Sequence, residues 1–518
     1  MASKESAGAQ GARQIVKNSM ANVATGFSVA LTSVLVPPVL ARTLSPLEFS
    51  AWALVLQIAG YVSVLDLGIQ GAIGRYVAYF LANLDRKRAE DFVSTSFNVL
   101  CITALTGFAG LSVASIYLHT LFPQIPEGLL ASTKFALVVV GLGISMGLPA
   151  SSFRGILTGI ERYELITFIA APTGLFLAGA LIVLALGQYD LIVLAIAFAT
   201  IKFLSYGLYW VVAEVYGPIK VKMGFVNRKS AVELWSYCSS SIIWSVGTLM
   251  VSGVDVAIVA RLDFSRVASY SACVALVTLI AGAQNAMFRP LLQVGARYFA
   301  KRETNALHAL MEKSTRVSFI TIAMSAAVGL FLSHQILALW LGNSYAAQAT
   351  LILRLLIIGQ AMRLIATPYA TLLLATNNHR ITRVPVLFEV IANTTAAILL
   401  GIRFGADGVA CGVIVGAVVS LLLVVFYTYP RTREVLGDGR SVIYRGVLIP
   451  LACVAPLGII PVTYVMQISI LSRIGIITVV VVGCLTATWK MSLDAGERYW
   501  LRKGVSLIWL WPRKLLKP

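Results

Sequence analysis

Apolar runs of about twenty residues alternate with short polar breaks along nearly the whole 518-residue chain. A helix needs about 20 residues to cross a hydrocarbon core of ~30 Å. A membrane β-barrel would instead show segments of about ten residues with alternating polarity. Only helices and closed barrels satisfy every backbone N–H and C=O without water. The pattern predicts an all-α integral membrane protein with about 14 transmembrane helices. They fall at 19–41, 50–74, 93–118, 131–154, 164–187, 190–214, 232–259, 267–289, 317–340, 349–375, 383–402, 408–429, 443–466 and 470–489. The breaks are short. Gly187-Gln188-Tyr189-Asp190 is nearly a whole loop, and the longest connection, 290–316, reads as helix extension plus turn.

The second half echoes the first. Arg42, followed by Phe49 and Trp52, matches Arg261 with Phe264 and Tyr270, a shift of 261 − 42 = 219. Gln70 to Arg75 matches Gln284 to Arg289, 289 − 75 = 214. Leu157 to Arg162 matches Leu374 to His379, and Asp190 matches Asp407; both shifts are 217 (374 − 157, 407 − 190). Six spans per half is an even number, so both halves enter the membrane in the same sense. That predicts two parallel six-helix lobes around a central cavity near the midplane, with two C-terminal helices outside the duplication. The expected organisation is an N-tail (1–18), an N-lobe (19–216), a linker (217–231), a C-lobe (232–429), the last two spans (443–489) and a tail (490–518).

Composition supports membrane residence. Hydrophobic residues make up 58% and charged residues 12%, against about 25% charged in soluble domains; the mean hydropathy is +0.85. The net charge of +19 would suggest nucleic acid, but its distribution argues otherwise. With the N-terminus in the cytoplasm, only Arg42, Lys134, Arg261, Arg266, Arg403 and Arg473 fall outside. Lys202, Arg354 and Arg363 fall within spans, leaving 41 − 6 − 3 = 32 of the Lys and Arg residues on the cytoplasmic side. That asymmetry is an orientation signal with both termini cytoplasmic. Tyr499, Trp500, Trp509 and Trp511 interleave with cations in the tail, as expected of a segment at the headgroup boundary. The six cysteines and four histidines are dispersed with no CxxC, so neither a disulfide framework nor a zinc site is expected. The start lacks a cleavable signal pattern, and the first span reads as a retained anchor.

The stretch Leu40 to Ala78 carries Arg42 with Leu44, Glu48-Phe49, Leu65-Asp66-Leu67-Gly68 and Arg75. It resembles the opening of bacterial polysaccharide flippases (O-antigen/exopolysaccharide, Wzx-type) of the multidrug/oligosaccharidyl-lipid/polysaccharide exporter superfamily. Asp255, Arg261 and Tyr270 fit the same family's junction between seventh and eighth spans. Ser50 departs from the glycine usual there. The resemblance implies translocation of a polyprenyl-diphosphate-linked oligosaccharide across the bacterial inner membrane, for cell-surface polysaccharide biosynthesis. Membrane lipids are implied partners, with a polysaccharide polymerase and export machinery downstream.

Such cargo needs cations, polar surface and water inside hydrocarbon. Ionisable residues cost at least ~2.5–3.5 kcal/mol each within a span, so they are candidates by default. Arg363, Lys202, Arg289 and Arg75 are the candidate substrate-binding cations, since Arg forks match phosphate oxygens. Arg354 lies nine residues before Arg363, on the opposite helical face, near enough to the outer end to snorkel. Asp66 and Asp255 are candidates for coupling to H⁺ or Na⁺; for Asp66 a helix cap is the plain alternative. Glu389 is a candidate counter-charge. Asn18, Asn22, Ser239, Ser240, Ser241, Gln284 and Asn285 either line a sugar path or hold helices together. Pro37, Pro38, Pro149, Pro172, Pro290 and Pro368 mark expected kinks. No cofactor is expected, and no GxxxxGK[ST] motif is present. Two other readings remain open: a drug/cation antiporter of the same superfamily, and a membrane-embedded polysaccharide polymerase or ligase. The short loops weigh against the enzyme.

Overall fold

The computed structural model describes residues 31–238, 253–437 and 442–456, with five further positions between 479 and 487. All regular elements among them are helical. In order they are α1 (Leu31–Thr43), α2 (Pro46–Gly60), α3 (Ile69–Ala82), α4 (Arg86–Ile116), α5 (Leu118–Leu121), α6 (Glu127–Ser145), α7 (Gly147–Gly159), α8 (Tyr163–Leu186) and α9 (Leu191–Tyr216). The second half follows with α10 (228–238), α11 (Val254–Leu262), α12 (Val267–Phe288), α13 (Pro290–Ala300), α14 (Thr304–Trp340), α15 (Asn343–Ile365), α16 (Thr367–Ala375), α17 (Arg383–Leu423), α18 (Tyr429–Leu436) and α19 (Ile449–Val454). Among the described residues, nine helical stretches are long and apolar enough to span a bilayer. One of them, Arg380–Leu436, holds two expected spans, because Gly405 (φ 61°, ψ −140°) breaks α17. The all-α membrane fold class is as expected. The tails 1–18 and 490–518, Asn18, Asn22 and Ser239 to Ser241 lie outside the described residues.

The motifs that opened the family resemblance turn out to be helix punctuation. Ser45 and Glu48 form a capping box: Glu48 N–H donates to Ser45 Oγ (3.2 Å) and Ser45 N–H to Glu48 Oε2 (2.9 Å). Pro46 fills the first position of α2, where its missing N–H costs nothing. Phe49 is buried and meets Tyr345 edge-on, ring centroids 6.1 Å apart. The Leu-Asp-Leu-Gly motif interrupts the second span. A 3₁₀ turn, Tyr61–Asp66, ends at Leu67 (φ 50°) and Gly68 (φ 79°), and α3 restarts at Ile69. Two left-handed residues in succession end a helix, and glycine adopts that conformation freely. Three other expected kinks also lie at segment boundaries. Pro149 sits in the first turn of α7, Pro290 opens α13 and Pro368 is the second residue of α16.

The duplication is visible in the element bounds. The stretches Pro46–Ala82 and Phe264–Ala300 have equal length (37 residues) and a common shift, 264 − 46 = 300 − 82 = 218. The next pair starts at Arg86 and Thr304, again 218 apart (304 − 86), and Gly159 and Ala375 end the following pair, 375 − 159 = 216. Side-chain packing repeats as well. A Cβ on Gly155 would fall 2.7 Å from Ile73 of α3. A Cβ on Gly295 of α13 would fall 2.6 Å from Leu372 and 3.1 Å from Ala375 of α16. Leu372 stands at the repeat position of Gly155 (372 − 155 = 217). Close crossings of this kind need small residues, and both halves supply glycine at this crossing.

The residues cluster into two compact units. One takes the chain up to Leu279 with His334–Leu356 and Glu389–Gly416; the other takes Ile280–Ser333, Ile357–Phe388 and the remainder from Ala417. Within the first, Leu157, Ile166, Ile169, Tyr209 and Ala213 pack α7, α8 and α9 together. Within the second, Leu307, Met311, Tyr369, Leu372, Leu373, Leu436 and Val442 form one apolar core, and Tyr369 Oη bonds Thr432 Oγ1 at 2.7 Å.

Candidate functional site

Two helical faces of the first unit carry polar residues that face one another. On α7, Gly147, Ser151 and Arg154 follow i, i+4, i+7 spacing, which puts them on one face. On α9, Lys202, Tyr206 and Tyr209 repeat that spacing. The faces meet. A Cβ on Gly147 would stand 2.7 Å from Tyr206 Oη, and the Arg154 guanidinium lies 5.6 Å from the Tyr209 ring centroid. Lys202 Nζ lies 5.5 Å from the Phe198 ring centroid. At about 1.5 Å per residue, Lys202 sits roughly 16 Å from the start of α9 and roughly 21 Å from its end. This is the middle of the span.

Asp66 joins the cluster from the break in the second span. Ser151 Oγ donates to Asp66 Oδ1 (3.0 Å) and also to Leu148 C=O (2.7 Å). Asp66 is the last residue of the 3₁₀ turn that precedes α3. Arg154 is close enough for its charge to act on Asp66, Lys202, Tyr206 and Tyr209. Arg154 and Ser151 had not been singled out in the sequence. Arg154 ends the expected span 131–154 and counts there as a cytoplasmic orientation charge. The helix instead runs to Gly159, placing Arg154 inside it. The i, i+4, i+7 match between α7 and α9 was the available signal.

A second polar cluster surrounds Asp255 in the same unit. Asp255 is 4% exposed and Asn393 fully buried; Asn393 Nδ2 donates to Asp255 Oδ1 (3.1 Å). Gln57 Nε2 (3.2 Å) and Tyr61 Oη both donate to Gly253 C=O, the residue before α11. Glu389, one turn before Asn393, is 7% exposed. Asn393 Oδ1 and Thr394 Oγ1 are buried without hydrogen-bond partners. Buried oxygens of this kind are suited to a hard cation, which takes oxygen ligands.

The other sequence candidates are placed as follows. Arg75 is exposed on α3, its guanidinium 5.7 Å from the Tyr237 ring centroid. Arg289 is exposed at the junction of α12 and α13. Arg363 is half-buried near the end of α15, while Arg354 is exposed. Gln284 acts as helix glue, donating to Ser318 Oγ (2.9 Å) and accepting from Thr321 Oγ1 (3.2 Å); Asn285 is exposed. Within the first unit the structure therefore brings Lys202 and Asp66 to one cluster, through Arg154, and places Asp255 in the other.

The helix ends assigned to the outer face by charge are tied together across the two halves of the sequence. Gln124 Nε2 donates to Leu262 C=O (2.8 Å), and Phe264 N–H donates to Gln124 Oε1 (2.9 Å). Arg261 Nη1 donates to Leu121 C=O (2.9 Å). Ser50 Oγ accepts from Ala268 N–H (3.2 Å), and Trp340 Nε1 donates to Val34 C=O (2.7 Å). The adjoining turn is held by Arg266 Nη1 on Asp407 Oδ2 (2.7 Å).

No protein-family model matches the chain. By sequence it is similar to the membrane protein EpsK of Bacillus subtilis (strain 168), 20% identical over 454 residues, 84% of this chain and 86% of that one. It is also similar to a protein of Shigella flexneri that bears the name O-antigen transporter, 22% identical over 355 residues, 67% and 81% of the two chains. Among solved structures, the lipid II flippase MurJ in an inward closed conformation superposes with a TM-score of 0.71 at 14% identity, covering 90% of this chain and 98% of that one. An inward-facing multidrug-resistance MATE transporter of the MOP superfamily gives 0.66 at 13% identity, covering 78% and 94%. The fold is thus that of MOP-superfamily transporters, and the resemblance read from Leu40 to Ala78 is borne out.

Proposed function

From a chain with the transporter fold of MurJ and the MATE exporters, we propose a flippase. It carries a polyprenyl-diphosphate-linked oligosaccharide from the cytoplasmic to the outer leaflet of the bacterial inner membrane, by alternating access, for surface polysaccharide synthesis. The observation that carries this reading is Lys202 at the middle of its span, with Arg154 nearer the end of α7; neither forms an ion pair or side-chain hydrogen bond among the described residues. A charge within a span is expensive unless it serves a ligand, a partner or water. Arg75 and Arg289, exposed near cytoplasmic helix ends, receive the diphosphate on entry, and Arg363 is a further ligand. Coupling to H⁺ or Na⁺ runs through Asp255 with Asn393, or through Asp66. The delivered lipid-linked unit passes to a polymerase and export machinery.

The half-buried carboxylate Asp66 and the buried Asp255 favour one second reading, a drug/cation antiporter. Leaflet distribution separates the two. Deleting the protein should trap lipid-linked repeat units on the cytoplasmic leaflet, read by protection from a membrane-impermeant glycan-oxidising probe. An unchanged distribution, with lowered resistance to cationic drugs, would replace the flippase with the antiporter. An unchanged distribution with altered polysaccharide chain length would point to a polymerase or ligase.

A further inference from the structure

The segment between α9 and α10 joins the two halves of the sequence, and α4 holds its backbone closely. Asn98 Oδ1 accepts from Gly224 N–H (2.8 Å), and Asn98 Nδ2 donates to Lys222 C=O (3.2 Å) and Phe225 C=O (3.0 Å). Ser94 Oγ accepts from Lys222 N–H (3.0 Å), and Thr95 Oγ1 accepts from Asn227 N–H (3.0 Å). Three side chains at helical spacing on one face of α4 thus satisfy five backbone groups of an irregular segment. In water the solvent does this unaided. At membrane depth, irregular backbone is tolerated only where protein or trapped water meets its polar groups.

The depth agrees with that reading. Asp91 is the last charged residue of α4, and the rest of the helix, Phe92 to Ile116 (116 − 91 = 25 residues), is uncharged. At 1.5 Å per residue this stretch is about 37 Å long, about 7 Å more than a ~30 Å hydrocarbon core. The hydrocarbon boundary therefore falls within about five residues of Phe92, level with Ser94 to Asn98. At that level the segment is amphipathic. Met223 is 82% and Val226 57% exposed, and Lys220, Lys222, Arg228 and Lys229 are all exposed. None of these four cations forms an ion pair among the described residues. The neighbouring acids are engaged elsewhere: Glu90 with Arg86, Glu233 with Arg88, and Asp91 with Asn227 Nδ2 (3.4 Å).

We infer that residues 220–229 form a lipid-binding strap. Met223 and Val226 enter the acyl boundary, and Lys220, Lys222, Arg228 and Lys229 bind the headgroups of anionic phospholipids. Apolar side chains flanked by cations suit a segment lying in the bilayer interface, and cations at that level are drawn to anionic lipid. The strap takes lipid whatever cargo the chain carries.

The full chain, with its six cysteines replaced and Val226→Cys carrying a bimane label, is placed in nanodiscs containing brominated phosphatidylcholine or brominated phosphatidylglycerol. Both lipids should quench the label, phosphatidylglycerol more strongly at equal content, and aqueous iodide should quench it little. Adding Lys222→Gln should lower the preference for phosphatidylglycerol about fivefold, the size expected of one cation beside an anionic surface. Lys222→Arg should keep the preference, and high salt should weaken it. Thermal unfolding shows that each variant is folded. Quenching by iodide and by neither lipid overturns the strap and leaves this surface to a soluble partner. Equal quenching by the two lipids, unchanged by Lys222→Gln, overturns the anionic headgroup as its ligand.

Discussion

Gln124 makes an unusually economical contact: one amide satisfies both a carbonyl and an N–H of the turn between α11 and α12. Gln124→Ala removes both hydrogen bonds while leaving every helix intact, because Gln124 lies in the loop before α6. A net intramolecular hydrogen bond contributes about 0.5–1.5 kcal/mol. Gln124 is exposed, so water competes and the lower figure applies, about 1 kcal/mol for the pair. Since 1.4 kcal/mol is about tenfold in an equilibrium constant, the bonded arrangement of these outer ends should weaken about fivefold. Ala268, fully buried beside Ser50, reports this. A single cysteine at Ala268→Cys, with the six native cysteines replaced, should react about five times faster with a membrane-impermeant maleimide when Gln124→Ala is added. An unchanged rate in a folded double variant would show that Gln124 does not hold the outer ends together, and that the apolar contact of Phe49 with Tyr345 carries the closure instead.

Three further outcomes follow from the same geometry. Gly155→Val should lower the melting temperature sharply, since overpacking costs about 1–3 kcal/mol and Ile73 already stands 2.7 Å from the Cβ position; Gly179→Ala, where nothing lies within 4 Å, should be neutral. Ser45→Ala should cost about 0.5–2 kcal/mol through loss of the capping box, measured by thermal unfolding in detergent. Asp255→Asn should abolish whichever of Na⁺ or H⁺ dependence the transport assay shows; retained ion dependence would remove Asp255 from the coupling role.

What the sequence reveals about this molecule follows from what lipid demands of each residue. Span positions among the described residues and the short loops between them were legible because hydrocarbon penalises every unsatisfied backbone group; the break at Leu-Asp-Leu-Gly was not, since it falls inside the expected span 50–74 and turns on a left-handed Leu67. The duplication was legible from isolated residue pairs, and the element bounds tighten its shift to 218 over the first paired stretches. Arg154 was not legible, because its charge sits within about two turns of a helix end whose position shifted by five residues. Composition cannot distinguish an orientation charge from a buried ligand over that distance. Asn393 was missed for a related reason. An amide in an apolar run carries no charge signal, although it lies one helical turn after Glu389 on the same face. Gln124 was invisible because its role depends on a turn 138 residues away in sequence.

The contact of Ser50 with Ala268 has a consequence for how this chain can evolve. At the shift of 218 residues these two positions are equivalent in the repeat, and here they touch each other. In a symmetric homodimer such a site faces its own image, so one substitution changes both sides at once and only self-complementary side chains survive. Fusion lifts that restriction. This chain has used the freedom: serine supplies the acceptor on one side, and alanine offers only its backbone N–H on the other.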